Sequence, residues 1–445
     1  MAEHPARVGV LSFHDSKESK AILNAVEALG HEPVWLREKN VLVRFTDGRF
    51  VLEPDVDVVI NRLLLSTAKQ PTEAVGFANT IARFRPMVND PDAAALASHK
   101  IASAAAMVDE DVPIPETALA LGTATLGRIS PTFGEEFVYK TIVGTHGGGA
   151  WKVRQADLLT GTVGTRRAFL QELVQTERER PRDLRVYVVD GSIVGAMYRY
   201  AAADDWRTNV ARGGDSEDAT ETLPDGVESM AKRATAAVGL DCAGVDLIEG
   251  DDGWLVLEVN PTAGFKGLFR ATGRSPAPHI AKLAIERAGG SVDSGLVDTL
   301  QSTLDDSIPS CVPAVVEPIE GESPTIGLTE RVVISGTTDT KAVIGRAEPV
   351  ASRTRIDLQL AATIGAGPIQ VSHADSDGDH HGRNERKPVV DVVIGIAGTE
   401  QTVNAQVEDR AEETYPLLLG RDVIADFQID VGSRYEDRPT EPLEE

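Results

Sequence analysis

Two apolar runs, residues 243–249 and 254–259, flank the glycine- and aspartate-rich segment 250–253 and read as a β-hairpin. Asp246 lies on the first strand, and Glu258 and Asn260 lie at the end of the second. Side chains two positions apart on a strand share a face, so Glu258 and Asn260 can point at one site. Two carboxylates and an amide oxygen make a hard oxygen set suited to Mg²⁺. Pro261 then forces a sharp exit from the strand. A solvated acidic hairpin remains the alternative in so acidic a chain. The balance is 69 Asp and Glu against 44 Lys and Arg, a net charge of −25.

That charge argues against general phosphate-backbone binding and against an anionic membrane surface. Only 12 of the 44 cations are lysine. One reading is a surface adapted to high salt, where ions screen the self-repulsion; an ordinary acidic protein is the other. Hydrophobic residues make up 42 % of the chain, enough for ordinary cores, and 445 residues predict about three domains. Cys242 and Cys311 cannot build a disulfide framework and fit a reducing compartment. No run approaches the roughly 18 apolar residues of a membrane span. The opening MAEHPARVGVLSF lacks the apolar region of a signal peptide. The expectation is a soluble cytoplasmic protein with no nucleic-acid or membrane partner; a homo-oligomer stays open.

Residues 1–90 predict a small α/β domain: a strand at 8–13, a helix at 18–29 ended by Gly30, a hairpin turning at Asp47-Gly48, and a buried strand at 57–61. A second region, 91–288, opens with an Ala-rich stretch at 92–109 expected to be one helix. It continues with a strand at 137–142, a helix at 168–174 and a hairpin turning at Asp190-Gly191. A helix at 227–238, the 243–259 hairpin and a closing helix at 276–288 follow. Residues 289–325 are rich in Gly, Ser, Asp and Pro and read as a linker. From 326 to 432 short strands and turns predict a β-rich domain, before an acidic tail at 433–445.

The 137–142 strand carries Lys140 and runs into Gly144, Gly147, Gly148 and Gly149. Glycines let backbone amides approach an anion, and a lysine supplies a point charge for phosphate. The spacing is neither a P-loop nor a dinucleotide fingerprint. Taken alone, the segment also fits a flexible surface loop. Arg185, Arg199, Arg207 and Arg212, with Asn209, form a cluster that could receive carboxylate or phosphate.

These residues together resemble the RimK-type branch of the ATP-grasp carboxylate–amine ligases, over residues 88–287. The matching pieces occur in order: Asn89-Asp90, Lys100, VPIPET ending at Thr117, YKTIVGTHGGGAWKV, LQEL, DLRVYVV, MYRYAAADDWRTNVARGG, GVDLIEG and LEVNPTAGFKG. The resemblance implies an α/β ATP-grasp fold, with an N-terminal α/β domain and a two-part central domain. It implies that Lys100 and Lys140 neutralise ATP phosphates and that Gly144, Gly147, Gly148 and Gly149 close over them. Gln171, Glu172 and Leu173 would meet the adenine, mostly through the backbone. Asp246, Glu258 and Asn260 would hold Mg²⁺ or Mn²⁺, and Arg185, Arg207 and Asn209 would receive the acid substrate or its acyl phosphate. The reaction implied is addition of glutamate, or a related amino acid, to a carboxylate on a protein tail or small cofactor. His146 and Trp151 depart from the usual loop, which leaves its phosphate contacts open. A nucleotide-binding scaffold with a vestigial site, and a peptidase acting through the C-terminal domain, are the other readings.

The segment 326–431 resembles a small retropepsin-like (aspartic-protease-like) β domain found beside or fused to such ligases, most visibly in LLLGRD at 417–422. Matching on ASRTRID puts Glu348, Pro349 and Val350 where the peptidases carry Asp, Thr and Gly. That implies a binding module rather than a peptidase. The loop from His373 to His381 holds three histidines and three aspartates; it reads as a metal site or, more simply, as a hydrophilic loop.

Overall fold

The computed structural model describes residues 4–14, 16–68, 70–144, 149–157, 159–163, 166–175, 180–201, 206–208, 215–311, 324–336, 339–366, 370–372 and 387–437. The chain divides into two compact units, Met1–Ala314 and Val315–Glu445.

The first unit begins with β1 (Arg7–Leu11), α1 (Lys17–Ala28), β2 (Glu32–Leu36), β3 (Leu42–Thr46), β4 (Arg49–Glu53), β5 (Val58–Asn61), α2 (Pro71–Ala82) and β6 (Met87–Val88). Four of these strands form a parallel sheet in the order β2-β1-β5-β6. Its apolar runs are buried on both faces, as a parallel sheet requires. Ser16 starts α1 by accepting the Ser19 amide at 3.0 Å. The outer hairpin β3–β4 turns through Asp47 and Gly48, both at positive φ. That turn chemistry is plain in the sequence, whereas β2 and α2 carry no comparable local signal.

Two helices follow, α3 (Pro91–Ser98) and α4 (Lys100–Asp109). The sequence predicts a single helix here; the structure breaks it at His99, which is extended (φ −98°, ψ 97°) and caps α4 by accepting the Ala102 amide on Nδ1 at 3.1 Å. The break frees the Lys100 amide to donate to the Ile142 carbonyl at 3.1 Å, just beyond the lysine strand.

The next elements are β7 (Thr117–Ala118), α5 (Thr123–Ile129), β8 (Glu136–Thr141), β9 (Ala150–Arg154), β10 (Thr162–Val163) and β11 (Arg166–Glu172). They build one sheet, β10-β11-β8-β9, with β7 on β11. The expected helix at 168–174 is therefore corrected to the strand β11. Ala168, Phe169, Leu170 and Gln171 are all buried, and a short, continuously buried run does not separate strand from helix by period. Pairing with β8 and β7 decides it.

A second sheet follows from β12 (Arg182–Val189), β13 (Ser192–Tyr200), β14 (Ser216–Asp218), β15 (Cys242–Gly250) and β16 (Gly253–Asn260), in the order β14-β13-β12-β15-β16. Helix α6 (Val227–Ala237) covers one face, and α7 (Lys266–Thr272) and α8 (Ala277–Arg287) lie on the other. Leu268 and Ile280 share one core with Val8, Ile22 and Val58 of the N-terminal domain. The N-terminal sheet and the β12–β16 sheet are thus held by a common apolar core, which fixes the cleft edge between them. Helix α9 (Ser294–Leu300) lies where only a linker is expected; Val297 is buried in the same core, and Leu300, Leu304 and Cys311 pack against it. Asp293 caps this short helix, which the Gly- and Ser-rich composition around it conceals.

The second unit has its own core and one eight-stranded sheet. Its elements are β17 (Thr325–Ser335), β18 (Thr340–Ala347), β19 (Arg355–Asp357), α10 (Leu358–Ile364), β20 (Gln370–Ser372), β21 (Lys387–Ile396), β22 (Thr399–Glu408), β23 (Leu417–Leu419), α11 (Arg421–Ile424) and β24 (Gln428–Arg434). The tail expected from 433 begins inside β24, and residues 438–445 lie outside the described residues. Thr354 ties β19 to α11: its amide and hydroxyl donate to the two oxygens of Asp422 at 3.0 and 2.8 Å. The Arg421 guanidinium donates to the Pro349 and Val350 carbonyls at 3.2 and 3.0 Å, so LLLGRD clamps the 348–351 turn. The His373–His381 loop lies outside the described residues.

Candidate active site

The hairpin β15–β16 sets Asp246 directly opposite Glu258, and a register shift follows between Asp246 and Leu247. Asn260 donates its amide N–H to Glu258 at 3.2 Å and to Asp246 at 3.4 Å, so the three side chains converge. Gly244 permits the close exit: a Cβ there would stand 2.5 Å from the Ala263 Cβ on the turn leaving β16. Buried Asn89 locks the same corner. Its Nδ2 donates to the Cys242 and Pro261 carbonyls at 2.9 and 3.1 Å, and its Oδ1 accepts the Asp241 and Cys242 amides at 2.9 and 2.8 Å.

Two lysines approach this corner from separate elements. Lys100, at the start of α4, lies 3.1 Å from Glu258 and donates to the Gly144 carbonyl at 3.1 Å. Lys140, on β8, donates to the Gln171 Oε1 of β11 at 2.5 Å. Burial pulls Lys140 down to about 8; Glu258 opposes that and Lys100 adds to it. Burial alone would raise the Glu258 carboxyl, but Lys100, Lys140 and Arg185 outweigh it and hold the group well below the usual carboxylate range. A cavity opens here, lined by Leu64–Ser66, Lys100, Gly144 and the end of β16.

Gln171 spends its side-chain oxygen on Lys140 and turns its amide nitrogen to Thr117 at 3.2 Å. Glu172 is exposed and its carboxylate accepts the Glu116 amide at 3.1 Å. Leu173 is half-buried just past β11. Gly149 sits against Thr141, where a Cβ would overlap the threonine hydroxyl, and its carbonyl accepts the Thr141 amide at 2.8 Å. Gly147 and Gly148 lie outside the described residues, as do His146, Asn209 and Arg212. Arg207 reaches the Ala150 carbonyl at 3.4 Å, which brings the segment 206–208 beside β9.

The sequence presents Arg185 and Arg199 as cations open to a substrate. Both are engaged within the protein. Arg185 grips Asp246 through two parallel bonds of 2.5 and 2.6 Å. Arg199 grips Asp183 at 2.7 and 2.5 Å and touches Asp246 at 3.0 Å. Asp183, the first residue of DLRVYVV and given no role there, also accepts the Thr208 hydroxyl at 2.5 Å. The period of two on β12 held the signal: Asp183 and Arg185 share a face with their partners across the sheet. Asp246 thus takes three arginine contacts, whereas the Glu258 carboxylate meets Lys100 and Asn260. The oxygen set still suits a hard divalent cation: two carboxylates and an amide, with Glu258 kept ionised. Among the described residues no group of three His, Cys, Asp or Glu side chains could hold a metal, so a cation here depends on the asparagine oxygen.

Two sheets with two lysines beside a carboxylate–amide corner are the arrangement of the ATP-grasp class. The profile of the RimK-like ATP-grasp domain matches residues 97–283. The chain is 32 % identical over 225 residues to the tetrahydromethanopterin:alpha-L-glutamate ligase of Methanosarcina acetivorans, covering 44 % of this chain and 68 % of that protein. It is 31 % identical over 236 residues to a probable alpha-L-glutamate ligase of Mannheimia succiniciproducens, covering 51 % and 75 %. The corresponding methanopterin ligase of Methanocaldococcus jannaschii is 33 % identical over 195 residues, covering 42 % of this chain and 66 % of its own length, just under two thirds. The chain belongs to the RimK-like ATP-grasp ligases. Among solved structures, the ATP-grasp ligase PsnB complexed with a minimal precursor superposes with a TM-score of 0.51 at 20 % identity, over 64 % of this chain and all of that one. A second PsnB structure, with a phosphomimetic precursor variant, Mg and ADP, gives 0.51 at 19 % identity over 63 % and 98 %. These two likenesses bear on the fold alone.

Proposed function

We propose that the chain is an ATP- and Mg²⁺-dependent (or Mn²⁺-dependent) ligase that adds glutamate, or a related amino acid, to a carboxylate on a protein tail or small cofactor. The observation that carries this reading is the convergence of Lys100 and Lys140 on the Asp246–Glu258–Asn260 corner, in a chain related to alpha-L-glutamate ligases. A carboxylate is a poor electrophile. Transfer of the terminal phosphoryl group of ATP to it forms an acyl phosphate and releases ADP; an amine then adds to the carbonyl and phosphate leaves. Lys100 and Lys140 neutralise phosphate charge, and Gly144 with Gly149 borders the phosphates. Gln171, Glu172 and Leu173 line the adenine side. Glu258, Asn260 and Asp246 hold the metal ion, which when bound spreads the charge of the transferring phosphoryl group. Arg207, with Asn209, meets the acid substrate, and Arg185 orients Asp246.

The domains run 1–90, 91–288 and from 326 through the end of β24, with a connection at 289–325 that includes α9. We infer a retropepsin-like fold for the third domain, with a docking role and no peptidase activity. Supporting this, Glu348 and Pro349 occupy the clamped turn, and Val350 beside them is 80 % exposed. Glutamate-tailed peptides should stay intact with the full chain; cleavage lost in Glu348→Gln would overturn this. No helix among the described residues is long and apolar enough to cross a membrane. A cytoplasmic site of action, at high salt, fits the composition. Untargeted mass spectrometry of a deletion strain tests the ligase reading. A metabolite or protein tail should lack one or more glutamates, and an unchanged glutamate inventory would contradict it.

A further inference from the structure

Arg62 stands at the carboxyl end of β5, and it is 6 % exposed. Among the described residues no carboxylate forms an ion pair with it. Its Nε is buried with no acceptor. One terminal nitrogen donates two long bonds, 3.4 Å each, to the Thr262 and Ala263 carbonyls, and the guanidinium lies 5.3 Å over the Phe265 ring. Glu18 is nearby and acts on Arg62 only through its field, since its Oε1 accepts the Phe265 amide at 3.2 Å. A buried donor left without an acceptor is costly. A buried arginine without a paired acid is the more conspicuous in a chain with 69 acidic residues.

Its position adds a second, independent observation. In the sheet order β2-β1-β5-β6 the chain runs outward from β1 in both directions, so β1 and β5 flank the switch point. Ligands of open α/β sheets bind outside the carboxyl ends of the strands at that point. Arg62 lies there, facing the turn that leaves the metal-corner strand β16. The residues just after it, Leu64–Ser66, line the cavity that Lys100 and Glu258 also line. The third observation is elimination. In glutamate ligation the incoming amino acid brings two carboxylates that do not react, and both need cations. Arg185 is committed to Asp246 and Arg199 to Asp183, while in the proposed ligation Lys100 and Lys140 serve the phosphates and Arg207 the acid substrate.

We propose that Arg62 binds a carboxylate of the incoming amino acid, through a fork that donates to both of its oxygens. This rests on the ligase reading above and names a subsite for it, placing the amine donor between the N-terminal sheet and the end of β16. The test is calorimetry on the full chain saturated with Mg²⁺ and a non-hydrolysable ATP analogue, titrated with L-glutamate. Wild type should bind glutamate. Arg62→Gln should bind it about tenfold or more weakly, with nucleotide affinity unchanged. γ-Aminobutyrate lacks the α-carboxylate and L-glutamine lacks the side-chain carboxylate; the preference for glutamate over one of them should collapse in the variant. If Arg62→Gln does not fold, Arg62→Lys carries the test, since it keeps the charge and loses the fork. Equal glutamate affinity in variant and wild type overturns the proposal. So does a wild type that binds nucleotide and no glutamate. A wild type that binds no nucleotide overturns the ligase reading itself.

Discussion

Lys140 is a cation in a place that resists charge. Burial lowers its pKa to about 8, against roughly 10.4 for a free lysine. Phosphate binding requires the protonated form. Nucleotide affinity in wild type should therefore hold below pH 7 and fall as pH rises through about 8, with proton uptake on binding above that point. Calorimetry in two buffers of different ionisation heat measures that uptake, and Lys140→Ala should abolish it. Lys100→Ala and Lys140→Ala should each weaken ATP binding by roughly 1.5–3 kcal/mol, the loss of a charge-assisted contact. Unchanged affinity in Lys140→Ala would remove that lysine from the site. At this scale the sequence shows the residues and not their allegiances. The meeting of Glu258 with Asn260 follows from strand periodicity. That Arg185 and Arg199 belong to Asp246 and Asp183 depends on cross-strand register, of which the period of two on β12 gives only the shared face. Arg62 sits beside an apolar run with no motif around it, and only the fold gives it a place.

Secondary elements position these groups by interruptions as much as by regularity. The Ala-rich stretch from 92 to 109 is full of good helix formers, yet His99 leaves the helix and turns Lys100 toward the end of β8. Propensity alone joins the two halves; the cap and the Ile142 contact separate them. Hairpins are the most legible elements, because Asp190-Gly191 and Asp47-Gly48 both supply the positive φ that tight turns require. β11 is the least legible, since its buried run lacks alternation. The sheet β12–β15 carries its own buried ion-pair network. Asp183 is 4 % exposed and serves Arg199 and Thr208 at once. Asp183→Ala should destabilise the first unit by about 3–5 kcal/mol, because Arg199 would remain buried with half its partners gone. Urea unfolding measures this. A loss under about 1 kcal/mol would mean that the network contributes little.

For the molecule as a whole, net charge matters more than any single pair. A charge of −25 implies self-repulsion that counter-ions relieve. The unfolding midpoint should rise steadily between about 0.1 and 2 M KCl, beyond the range where screening of single pairs is complete. A flat or falling midpoint would count against salt adaptation. The change in composition near 290–325 marks the division into two units, although α9 and the segment up to Cys311 pack into the first core. That packing rests on Val297, Leu300, Leu304 and Cys311, apolar residues too sparse to show a helical period. In the proposed reaction the lysine pair and the carboxylate corner together run an ATP-dependent ligation. The most direct measurement is ADP release at high salt with glutamate and an extract-derived acceptor, with and without Mg²⁺. Release should require both Mg²⁺ and acceptor and should collapse in Lys140→Ala and in Glu258→Ala. Normal turnover in both variants would contradict that claim.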